Sequence, residues 1–92
     1  SDTIQRMIQS WNTKTLSIQL ADFTAHIKLD ASPPRYEIFL EISFDSKAIM
    51  DENEFLQTLQ VAANIELEYL LCQTNHKYQE LRNAGMLSPL LC

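Results

Sequence analysis

One glycine, Gly85, serves all 92 residues. A Gly-rich phosphate loop cannot be built from a single glycine, so a self-contained P-loop or dinucleotide site is excluded. The two cysteines, Cys72 and Cys92, lack Cys-x-x-Cys spacing and are too few for a disulfide framework. No cluster of Lys or Arg offsets the net charge of −5; the basic residues stand singly from Arg6 to Arg82. That argues against a nucleic-acid or acidic-membrane surface. No run of ~18 apolar residues could cross a membrane, the first residues lack the signal-peptide pattern, and no Asn-x-Ser/Thr sequon occurs. The expectation is a reduced, cytoplasmic protein. An apolar fraction of 46% is ordinary for a folded chain, and the length allows one domain with a small core.

The residues that are present fall into alternating periods. Residues 1 to 12 predict a short helix, with Asp2 and Gln5 in capping-box spacing and one apolar stripe of Ile4, Met7, Ile8 and Trp11. Residues 16 to 27 alternate as a strand, first on Leu16, Ile18 and Leu20, then on Phe23, Ala25 and Ile27. A change of parity predicts a bulge near Ala21-Asp22. "LDASPPR" is a turn. Residues 35 to 45 put Tyr36, Ile38, Leu40, Ile42 and Phe44 on one face, with Glu37, Phe39, Glu41, Ser43 and Asp45 on the other. That is a half-buried antiparallel strand.

A second helix starts at Asp51, with Glu54 completing a capping box and Met50 and Phe55 a hydrophobic staple. Carried unbroken to Ala84 it would be roughly 50 Å long, against about 25–30 Å for a domain of this size. A break is therefore expected at Thr74-Asn75, with Asn75 capping a third helix and Gly85 in its C′ position. "LSPLLC" has strand composition. The fold class is α+β: a small antiparallel sheet with helices on one face, in the order α-β-β-α-α and an incomplete β.

Residues with catalytic chemistry do not form a constellation. Glu37 and Glu41 on one strand lie ~13 Å apart, too far to cooperate as an acid/base pair, and a solvated sheet face or an interface accounts for them. His26 and His76 have no partner at zinc-ligand spacing. Cys72 reads as a small buried hydrophobe. Tyr78 and Arg82, at i and i+4, cover core with the guanidinium reaching solvent.

The run Leu67-Glu68-x-x-Leu71-Cys72-x-x-Asn75-x-x-Tyr78-x-x-x-Arg82-x-x-Gly85-x-Leu87-x-Pro89-Leu90 resembles the C-terminal region of GH3 proteins, the auxin- and jasmonate-amido synthetase family. Leu20-Ala21-Asp22-Phe23-Thr24 and "SPPRYEIFLEI" resemble two strands of the same region, so the likeness covers almost the whole chain. Ser88, where the family often has glycine, and Pro34-Arg35, where it has Gly-His, depart from the pattern. The resemblance implies the acyl-adenylating superfamily: a carboxylate is activated with ATP and Mg²⁺, then joined to an amino-acid amine. Residues 1 to 92 would be a single domain, part of the C-terminal lid that moves between the two half-reactions. The lid's partner would be the N-terminal adenylating domain of the same protein, with ATP and Mg²⁺ bound by the parent and none by this stretch.

On this reading Asn75, Tyr78, Arg82 and Gly85 are a structural signature, no residue here is catalytic, and Trp11, Glu37, Phe39 and Glu41 are interface candidates. A second reading is a small non-enzymatic α+β module that binds a protein partner through the polar sheet face or the Trp11 helix. A third is a family member that has lost activity and keeps the lid as a scaffold.

Overall fold

The computed structural model describes residues 2–46 and 51–92; the Asp2 side chain and the Met50 half of the expected staple lie outside the described residues. The element order is α1 (Asp2–Ser10), β1 (Leu16–Lys28), β2 (Arg35–Ser46), α2 (Glu52–Thr74) and α3 (His76–Asn83). Helix α1 has 9 residues, too few to hold itself in water. Ile4, Met7 and Ile8 are buried and join the core with Ile18, Ile38, Ala63, Leu67 and Leu90. After α1, the Asn12 side chain donates to the Ile18 carbonyl and accepts from the Ile18 N–H, pinning the start of β1 to the turn before it.

β1 and β2 pair antiparallel, and the register steps from Leu20↔Ile42 to Asp22↔Glu41. Ala21 is the extra residue of the bulge, at the place where the change of parity puts it. The bulge keeps Phe23 opposite Leu40 and Ala25 opposite Ile38, so the apolar face continues past the slip. The helices cover only part of that face, and Phe23 and Ile27 remain exposed.

Asp51 caps α2 by accepting from the Glu54 N–H at 3.2 Å. α2 ends at Thr74, and Asn75 serves both helices. Its N–H donates to the Leu71 carbonyl, and its side-chain oxygen accepts from the Tyr78 N–H at 3.0 Å. The break lies where expected, but length does not explain it. The molecule is 44 Å along its longest axis, and α2 with 23 residues already spans about 34 Å. The chain breaks because Asn75 offers the backbone a cap and because α3 has something to dock on.

Gly85 closes α3 at φ +73°. Its N–H donates to the Arg82 carbonyl and the Met86 N–H to the Leu81 carbonyl, the two bonds of a Schellman motif. The chain then returns to the sheet. Leu91 bridges Glu37 in parallel to β2, so the last segment does join the sheet, over a single bridge. Its direction follows from the crossover: a strand that returns by way of α2 and α3 re-enters parallel to β2.

Candidate functional site

Glu68 is the polar centre of the molecule. Its carboxylate, on the inner side of α2, accepts from the Tyr78 hydroxyl at 2.6 Å, from Arg82 Nε, and from the Leu90 backbone N–H at 3.2 Å. Arg82 also donates to the Leu87 carbonyl at 3.0 Å. One side chain thus ties α2 to α3 and to the terminal segment. Burial alone would raise the Glu68 carboxyl, but the bonds from Tyr78, Arg82 and Leu90 outweigh it and hold the group below its ordinary value. The Tyr78 hydroxyl is pushed well up by burial and then by the Glu68 carboxylate.

Tyr78 is buried, and its ring meets Tyr36 of β2 at 5.9 Å. Arg82 does not reach for solvent as its i, i+4 pairing with Tyr78 suggested; it is turned inward by an ion pair that the local sequence does not show. Glu68 itself was not a candidate. Its partners lie 10 and 14 residues away across a helix break, a distance at which periodicity carries no signal.

The interface candidates separate. Trp11 stands on the inner side, half-buried, with its indole N–H toward Glu66 at 3.4 Å. Glu37, Phe39 and Glu41 share the opposite, outer face of the sheet. Phe39 is 58% exposed and stacks on His26 at 5.4 Å. Glu37 bridges His26 and Arg35, each at 3.2 Å. Burial would raise the Glu37 carboxyl, but the Arg35 and His26 hydrogen bonds prevail and lower it. Glu41 is exposed beside them.

A cavity of about 500 Å³ lies between the inner face of β2 and the N-terminal half of α2, with Leu40, Ile42, Leu56, Leu59 and Trp11 among its walls. Cys92 borders it; burial pushes its thiol up to about 11, and burial likewise raises Cys72. Both thiols are free and neutral at physiological pH, which makes them poor nucleophiles. His76 pairs with Glu80 within α3 at 2.9 Å. Among the described residues no three His, Cys, Asp or Glu side chains are placed to hold a metal.

A two-stranded sheet, helices on one face and a carboxylate knot between them define a small α+β domain whose strongest polar interactions go into its own architecture. The GH3 family C-terminal domain model matches residues 2–91, and the chain belongs to that family. Comparison with curated proteins and with solved structures returns no match. Two departures from the family pattern meet in space: the Ser88 N–H donates to the Pro34 carbonyl at 2.9 Å, and its hydroxyl to the Pro33 carbonyl at 3.2 Å. Serine at this turn supplies a tie to the β1–β2 connection that glycine could not complete.

Proposed function

We propose that this domain is the C-terminal lid portion of a GH3-type, ATP-dependent acyl-adenylating amido synthetase. The family match over residues 2–91 carries the reading. The chemistry belongs to an N-terminal adenylating domain of the same polypeptide, which would bind ATP and Mg²⁺, activate a carboxylate as its acyl-adenylate and pass it to an amino-acid amine. The reading places the protein in the cytoplasm, where ATP is supplied. The domain alone is not catalytic, in keeping with a Glu68 carboxylate already engaged by three donors and with two protonated thiols.

The outer sheet face is the side turned to the adenylating domain. Exposed Phe39 on His26, flanked by Glu37 and Glu41, combines an aromatic anchor with a charged rim. A test uses the complete polypeptide. Carboxylate-dependent pyrophosphate exchange and amide formation should both be present, and Phe39→Ala should slow amide formation more than exchange. The isolated chain should show neither reaction. If the complete polypeptide neither exchanges pyrophosphate nor forms amide, the ligase assignment fails. A protein partner captured through Phe39 would then favour the interaction-module reading.

A further inference from the structure

β1 is paired on one side, by β2. The Ile38 N–H and the Tyr36 carbonyl bond to Leu91, on the side of β2 that faces away from β1. Their cross-strand neighbours Ala25 and Ile27 therefore turn their own backbone groups away from β2, and by alternation so does Phe23. Among the described residues no backbone bond meets these three from that side. The Phe23 N–H has a stand-in acceptor there, Asp22 Oδ1 at 2.8 Å. An edge left open in this way is a template for another strand.

The side chains along the same edge are also short of partners. Phe23 and Ile27 lie on the inner face beyond the reach of the helices, 37% and 45% exposed. Asp22 and Lys28 stand at the two ends of the segment and share the outer face, since they are separated by an even number of residues. Asp22 enters no ion pair among the described residues. Lys28 holds Asp30 at 3.3 Å, an exposed surface pair of small worth.

We propose that β1 pairs antiparallel with β1 of a second copy about a two-fold axis at Ala25, giving a continuous sheet in the order β2-β1-β1-β2. In this register Ala25 faces Ala25, Phe23 faces Ile27 and Asp22 faces Lys28 of the other copy. Each facing pair among Phe23, Ala25 and Ile27 exchanges two backbone hydrogen bonds. The Phe23 N–H passes from Asp22 to the Ile27 carbonyl of the second copy, and the released carboxylate meets Lys28 of that copy. On the inner face the Phe23 and Ile27 side chains cover one another. Charge selects the register. An axis at His26 would set Asp22 against Asp30, and an axis at Thr24 would carry Lys28 past the bulge at Ala21, where pairing ends. The Ala25 axis matches acid to base at both ends, so the segment is its own complement, as a two-fold interface requires. The contact is at the small end of specific interfaces, so association is weak and depends on concentration. It uses the sheet edge, leaves the Phe39 face open and does not depend on the ligase reading.

The test is sedimentation equilibrium of the chain from roughly 10 μM to 1 mM, the range of a small interface. A monomer–dimer equilibrium is expected. Asp22→Lys and Lys28→Asp should each weaken it about tenfold by setting like charges face to face at both ends, and the double exchange should restore it to within about threefold. Amide hydrogen exchange at Ala25 and Ile27 should slow as concentration rises in the wild type and the double variant, and not in the single variants. A monomer at every concentration would overturn the proposal and leave the edge to a strand of different sequence. So would a dimer indifferent to both reversals, a double exchange that restores nothing, or dimerisation without slower exchange at Ala25 and Ile27.

Discussion

Leu67 and Leu56 lie on one stripe of α2, yet Leu67 is 4% exposed and Leu56 38%. The difference separates two halves of one helix. Around Leu67 the helix is held from three sides, by the core, by α3 and by the terminal segment, with Glu68 as the common acceptor. Around Leu56 the helix stands over a cavity. Helical propensity is similar along both halves, so the contrast lies in what tertiary structure brings to each. A carboxylate with three donors can close a helix–helix–strand junction in a chain too small for a large core.

The contrast can be broken most forcefully at the core. Leu67→Ala should cost about 3–4 kcal/mol by chemical denaturation and Leu56→Ala less than about 1 kcal/mol, since only the first leaves a cavity in packed surroundings. Equal losses would mean that the two halves are packed alike. Glu68→Ala should cost about 2–3 kcal/mol by leaving Tyr78, Arg82 and the Leu90 N–H without their acceptor. Its loss should also release the terminal segment, seen as faster amide exchange at Leu90 and Leu91. Asn75→Ala should cost about 1 kcal/mol by removing the cap between α2 and α3; no change in unfolding free energy would mean that the helices run on as one.

The smallest effect sharpens the comparison through pH. The Glu68 carboxyl lies below its ordinary value of 4.5 in the fold, so the unfolded chain takes up the proton first. The stability this supplies is complete above the ordinary value and is lost as pH falls through the lowered one. The wild-type acid limb should therefore be steeper than that of Glu68→Gln, measured as unfolding free energy against pH. Parallel acid limbs would show that Glu68 is not held in its ionised form by the fold.

Local features were legible wherever the physics is local. The bulge at Ala21 follows from a change of parity within one strand, the double role of Asn75 from its side chain, and the turn at Gly85 from a positive φ that only glycine adopts at little cost. The polar centre was not legible. Tyr78 and Arg82 stand in plain spacing, but the residue they serve lies beyond a helix break whose angle no pattern of residues states. The position of Trp11 was likewise not legible: it follows α1 on the inner side, with its indole N–H toward Glu66.

The sequence by itself determined the order and ends of the elements, the face each strand buries, and membership of the GH3 C-terminal family. Those properties depend on side chains a few residues apart or on an ordered set of motifs. Only tertiary structure decided that Glu68 gathers Tyr78, Arg82 and Leu90, that Leu91 re-enters parallel to β2, and that Asn64 and Gln60 of α2 hold the backbone of Cys92. Each of those depends on the direction in which one element leaves another, and direction is set by packing of the whole chain.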